Sequence, residues 1–288
     1  MSGILEVAIA GGPYAMAAGS DGAMWVTLVH SGEIARVTDG GEVEVYPVAP
    51  QSKPSIIVAG ADGALWFTRA GDDRIGRIST DGELRAFELA SGSAPFGLAA
   101  GPDGALWFTA MTSGVVGRIS VDGEITEVAV PGGMPSMITA GPDGALWFTL
   151  NAANAIGRLA PSGDLTVRAV PTPGAGPVGI AATHDDAVWF AAIRVDKLGR
   201  IPTDDAIQEL DLPGKPHAVV ADPTGGVWVS LWGSDQVVNV SADGEVVVSV
   251  DLPSGSEPHG MAIGPDGALW VALEAGYVWR LPTSQRDL

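Results

Sequence analysis

The 288-residue chain contains no cysteine and four histidines, His30, His184, His217 and His259. Thiol catalysis, thiolate metal sites and disulfides are therefore excluded. Two histidines follow prolines in related phrases, K-P-H-A at 215–218 and E-P-H-G at 257–260. The second phrase places Glu257 two residues before His259, and W-V-A-L-E at 270–274 adds Glu274. Two carboxylates without a thiolate suit a hard cation, Mg²⁺ above all, with water completing its shell. A neutral histidine beside such a cation is a reasonable general base near neutrality. The cation would polarise a carbonyl and stabilise the enolate-like charge that forms. The chemistry so described is proton abstraction next to a carbonyl.

These residues stand out because the chain supplies its own control. D-G-A-L-W-F-T occurs unchanged at 62–68, 103–109 and 143–149, with degraded copies at 21–27, 185–191, 224–230 and 266–272. The tryptophans Trp25, Trp66, Trp107, Trp147, Trp189, Trp228 and Trp270 recur 39 to 42 residues apart. A proline stands 12 residues before each: Pro13, Pro54, Pro95, Pro135, Pro177, Pro216 and Pro258. A period near 41 with several short strands per unit predicts an all-β, seven-bladed β-propeller forming one domain over 1–288. In the third repeat the strands read as 96–100, 105–110, 115–120 and 124–130, with Asp-Gly turns between. The segment 4–10 has no blade of its own, and the last repeat stops after its third strand, 278–281. The N-terminal strand is therefore expected to complete the last blade and hide its edge.

After the seven prolines stand Tyr14, Ser55, Phe96, Ser136, Val178, His217 and His259, which should ring one mouth of the central channel. Only blades six and seven put histidine there. Before the prolines, Glu257 is the one acid. Four residues beyond the tryptophans, Glu274 is the one acid. Glu257 and His259 stand two apart in a segment that reads as extended, which would project both to one face. Hairpin register about Pro265-Asp266 sets Glu274 opposite Pro258. The expectation is a site of Glu257, Glu274 and His259, with His217 beside it. His30 and His184 read as exposed and structural. The Asp-Gly acids read as turn chemistry, and Trp232 and Trp279 as core or rim packing.

Composition narrows the partners. Fifteen basic against thirty-four acidic residues leave a net charge of −19, which would repel nucleic acid and an anionic membrane. Hydrophobic residues at 46% exclude disorder. No apolar run reaches the roughly 18 residues of a membrane span. Met1–Val7 lacks a basic region and reads as no signal peptide, so a cytoplasmic location is expected. A closed ring needs no partner to cover an edge, so a monomer is expected.

The phrases G-P-Y-A (12–15), K-P-H-A, E-P-H-G and W-V-A-L-E, set on seven Trp-centred repeats with I-G-R-I-like third strands, resemble the virginiamycin B (streptogramin B) lyase family. The resemblance covers essentially the whole chain. It implies an enzyme that opens cyclic depsipeptide lactones of the type B streptogramins by β-elimination at the ester, inactivating the antibiotic. It further implies His259 as proton acceptor, Glu257 and Glu274 as Mg²⁺ ligands, and His217 as a substrate contact, with Tyr14 as a further wall contact. Family members often carry W-F-T-E in several blades; here Leu28, Arg69, Ala110, Leu150, Ala192 and Leu231 replace that acid in the first six. Two other readings stay open. One is a non-catalytic propeller that binds a peptide or protein partner, and the other a metal-dependent lactone or ester hydrolase.

Overall fold

The computed structural model describes residues 4–202 and 206–282. Met1–Gly3, part of the N-terminal segment read above, lie outside the described residues. Seven four-stranded antiparallel sheets make the seven blades expected of the repeat. Blade three is built of Pro95–Ala100, Leu106–Ala110, Val115–Ile119 and Ile125–Ala129, within one residue of the sequence layout at every end. The first strands form the inner wall of the ring, and Pro13–Ala18 neighbours both Pro54–Ala59 and Pro258–Ile263, which closes it. The closing strand is Leu5–Ala8. It pairs with Tyr277–Leu281 in the register Leu5↔Arg280 to Ala8↔Tyr277, so blade seven takes its outer strand from the other end of the chain.

The repeat phrase explains itself in the packing. Each tryptophan stands on a second strand and packs against the next blade, all of them buried except the half-buried Trp107. Trp66 packs with Leu98, Leu106 and Phe108 of blade three, and Trp270 with Met16, Met24 and Val26 of blade one. In the first four blades the Asp of Asp-Gly then clasps the tryptophan. In blade two, Asp62 Oδ1 accepts the Trp66 indole N–H at 3.1 Å, while Oδ2 accepts Arg77 Nε at 2.7 Å. Blades one, three and four repeat the clasp through Asp21, Asp103 and Asp143. These acids therefore tie the second strand to the third, a larger role than the turn chemistry expected of them.

Residue pairs between the same two strands vary together. Where the second strand carries Phe after Trp, the partner on the third strand is glycine: Phe67↔Gly76, Phe108↔Gly117, Phe148↔Gly157 and Phe190↔Gly199. A Cβ on Gly117 would stand 2.1 Å from the Phe108 ring. Where the second strand carries Val, the partner has a side chain, as in Val26↔Ala35 and Val229↔Val238.

The hydroxyl of W-F-T bridges neighbouring blades. Thr68 Oγ1 accepts the Ile56 N–H at 3.1 Å and donates to the Phe96 carbonyl of the next blade at 2.7 Å. In blade six Ser230 takes this place. It accepts the Ala218 N–H at 2.9 Å and donates to the carbonyl of His259 at 3.1 Å. The scaffold hydrogen bond of one blade thus fixes the backbone of a site residue in the next.

Candidate active site

Tyr14, Phe96, Ser136, Val178, His217 and His259 line the central channel, a cavity of about 730 Å³ whose deeper wall is mainly Ala, Val and Ile. The post-proline positions therefore ring the channel as expected. Ser55 differs, being buried with its hydroxyl donating to the Lys53 carbonyl at 3.1 Å. The histidines of blades six and seven are neighbours, their rings perpendicular with centroids 4.8 Å apart. Tyr14 covers the other side of His259, its ring centroid 4.7 Å away.

Two local inferences about the acids need correction. Glu257 is not extended: its φ is +51°, so alternation along a strand does not carry its side chain to the face of His259. The same left-handed turn occupies the pre-proline position in other blades, at Gly12, Lys53, Ala94, Gly176 and Lys215. The second correction is one of register. Pro258 pairs with Leu273, and the hairpin is irregular between Pro258 and Met261. Glu274 consequently lies opposite Glu257, donating its N–H to the Glu257 carbonyl at 3.2 Å. The two acids are still brought together, through paired backbone at the rim rather than through a shared strand face.

Glu274 is the hinge of the site. Its Oε2 is in close contact with His259 Nε2, and its Oε1 lies 2.8 Å from His30 Nε2. The Glu274 side chain is 19% exposed and that of His259 13%, whereas His30 is 64% exposed at the rim. Burial, then the neighbouring His259, pushes the His217 imidazole down to about 3. Burial, then His30, pushes His259 down to about 4. Burial, then the Glu274 carboxylate, pushes the Tyr14 hydroxyl up to about 12. At neutral pH both inner imidazoles are thus neutral and able to accept a proton, and Tyr14 keeps its own. Glu274 acts on His259 in the opposite sense, as a counter-charge for the imidazolium once it forms. The Nδ1 atoms of His217 and His259 are buried without a hydrogen-bond partner. With Nε2 against the Glu274 carboxylate, the neutral His259 ring carries its proton there, which puts its lone pair on Nδ1.

The sequence model of the virginiamycin B lyase family matches residues 3–281, nearly the whole chain. The chain belongs to this family. Virginiamycin B lyase of Mycolicibacterium smegmatis is 77% identical over 282 residues, covering 98% of this chain and all of the relative. That of Mycobacterium sp. strain KMS is 72% identical over 274 residues, covering 95% and 98%. Among solved structures, a streptogramin B lyase superposes with a TM-score of 0.91 at 33% identity, covering 97% of this chain and 98% of that one. A catalytically inactive histidine-to-alanine variant of the Staphylococcus aureus virginiamycin B lyase with quinupristin gives 0.91 at 34% identity, covering 96% and 98%. The protein is accordingly an enzyme of the lyase class.

As a virginiamycin B lyase family member, the chain can be tested for its fit to a cation. Among the described residues no group of three or more His, Cys, Asp or Glu side chains is arranged as a metal cage. A dehydrated transition metal is thus poorly served. The carboxylates of Glu257 and Glu274, carried on paired backbone with Glu257 exposed, fit Mg²⁺, which keeps several waters and takes one or two carboxylates.

His30 is the residue that sequence reasoning missed. It was expected to be exposed, and it is, yet its ring reaches Glu274 across the junction of blades one and seven. The signal lay one position beyond the comparison that singled out Glu274. Five residues past the tryptophans stand His30, Gly71, Thr112, Ala152, Arg194, Gly233 and Ala275, with one histidine among them. His184 sits exposed in its turn, as expected. Trp279 is half-buried against the core between blades six and seven, its indole N–H donating to Glu6 at 2.8 Å, and Trp232 is half-buried under Lys215.

Proposed function

We propose that the protein linearises type B streptogramins, or closely similar cyclic depsipeptide lactones, by β-elimination at the ester linkage. The observation that carries this reading is the His259–Glu274 contact at the mouth of an apolar channel, in a chain similar over its full length to virginiamycin B lyases. The channel's size and apolar wall suit side chains of a bulky cyclic peptide. His259 takes the α-proton of the threonyl residue on the lone pair of its neutral imidazole, and the C–H electron pair becomes the new C=C bond. The ester C–O bond breaks at the β-carbon, the carboxylate leaves with its electron pair, and a dehydrobutyrine remains. Glu274 stabilises the imidazolium so formed. His217 and Tyr14 keep His259 between them and present neutral surfaces to substrate. A cation held by Glu257 and Glu274 would polarise the carbonyl beside the α-carbon.

We further infer a monomer working in the cytoplasm without a nucleic-acid or membrane partner, a reading supported by the closed ring and the net charge of −19. The test of the activity is mass spectrometry of a type B streptogramin incubated with the protein, with Mg²⁺ and with EDTA. Elimination gives a linear product of unchanged mass, lost with EDTA. A product heavier by one water would make the protein a hydrolase, and intact antibiotic alone would overturn the substrate.

A further inference from the structure

We propose that His30 is a positioning residue for this reaction, holding the Glu274 carboxylate in the orientation that presents Oε2 to His259. The inference rests on the reading of His259 and Glu274 given above. A glutamate at a channel rim has several rotamers open to it, and ordering one costs entropy that a partner must offset. Glu274 has a partner at each oxygen, His259 at Oε2 and His30 at Oε1, 2.8 Å away. With both oxygens engaged, the carboxylate cannot turn about its last bond without breaking one contact.

The place of His30 is built for it. The Val29 N–H donates to the Gly12 carbonyl at 3.0 Å and the His30 N–H to the Gly11 carbonyl at 2.9 Å, anchoring the loop on the start of its own blade. The imidazole then lies against Gly12, where a Cβ would stand 2.3 Å from His30 Cδ2. The other blades show that this is a matched pair. The residue five past tryptophan is long in blades one and five only, as His30 and Arg194, and in those two blades the pre-proline residue is glycine, Gly12 and Gly176. A Cβ on Gly176 would likewise stand 2.8 Å from Arg194 Cδ. Elsewhere the pre-proline residue carries a side chain and its partner is small, as with Ala94 and Thr112, or Lys215 and Gly233. Ala94 adopts φ +49° at that position, so the turn itself does not require glycine. Gly12 makes room for the ring of His30.

Three variants test this: His30→Ala, His30→Gln, which keeps a side-chain N–H donor, and Gly12→Ala, which displaces the ring without touching Glu274 or His259. His30→Ala and Gly12→Ala should lower kcat roughly 10- to 100-fold with KM little changed. Tm should stay level in His30→Ala and fall slightly in Gly12→Ala because of its positive φ, and His30→Gln should recover much of the loss in kcat. In substrate-free, cation-free protein, ¹⁵N NMR should show the His259 Nε2 resonance moving in His30→Ala and Gly12→Ala and returning toward wild type in His30→Gln. Unchanged kcat, or an unmoved His259 resonance, would overturn the proposal. So would a loss of activity that tracks a loss of Tm in all three variants. If the wild-type protein opens no streptogramin, the reading of the reaction fails, while the resonance still decides the His30–Glu274–His259 arrangement.

Discussion

The hydroxyl of Ser230, in blade six, donates to the main-chain carbonyl of His259, in blade seven, at 3.1 Å. Thr27 and Thr68 make the same bridge to Ser55 and Phe96, where no chemistry depends on it. Blades five and seven have Ala191 and Ala272 at this position, so the ring tolerates its loss. Ser230→Ala should therefore cost only about 1–2 kcal/mol in chemical denaturation, yet lower kcat more than Thr68→Ala does. Ser230→Thr should behave as wild type in both measurements.

His259→Ala should abolish turnover while leaving fold and substrate affinity in place, as read by product formation and by calorimetry with the intact antibiotic. In the proposed reaction the neutral ring accepts the proton, and its removal would take away an interaction made only on the way to the transition state. Retained turnover would transfer the role of base to another residue.

Glu274→Gln should weaken the Mg²⁺ dependence of turnover far more than Asp266→Asn. Asp266 is a scaffold acid that accepts the Ala268 N–H at 3.0 Å and pairs with Arg280. Equal effects in a Mg²⁺ titration of activity would count against a cation at Glu274.

The clasp acids make a prediction about pH. Burial pushes the Asp62 carboxyl up, but the hydrogen bonds of Arg77 and Trp66 and the backbone of Ala64 together hold it below the usual carboxylate range. Asp21, Asp103 and Asp143 are held down in the same way. A depressed folded-state value adds stability that is present above the unfolded value of about 3.9, and is lost as pH falls through the folded value. Asp62→Asn should be less stable than wild type in urea at pH 7. The gap should narrow as pH drops below the carboxylate range, and a constant gap would refute the linkage.

Gly117→Ala should destabilise blade three by about 1–3 kcal/mol, since the added methyl meets the Phe108 ring. Phe108→Val in the same chain should recover part of that loss by reproducing the Val26↔Ala35 pair of blade one. A double-mutant cycle on Tm or urea midpoint reads the coupling.

The architecture was legible in the sequence because the repeat was. Each tryptophan and proline recurs at a fixed offset, Asp-Gly does so in five blades, and the packing between blades rests on that repeat. Glu274 could be found because the other six blades have no acid at its position, and His217 and His259 because the other five have no histidine at theirs. The geometry at Glu257 could not be read, because a residue before proline is ordinarily extended and Glu, Lys and Ala carry no sign of positive φ. The glycines at 12 and 176, in the same register, were the one trace of that turn. His30 escaped because the comparison across blades stopped one position short of it, and its contact with Glu274 forms only where the first and last blades meet. Its partner Glu274 lies across the junction that folding creates.

That junction has a consequence for when the enzyme exists at all. His30 belongs to the first blade, Glu274 and His259 to the last, and the last blade is finished by Leu5–Ala8. A nascent chain carries its first rim histidine long before the acid that meets it has been made. The full His30–Glu274–His259 arrangement therefore exists only once the two ends of the chain meet, and loosening that seam should weaken turnover without altering one reactive side chain.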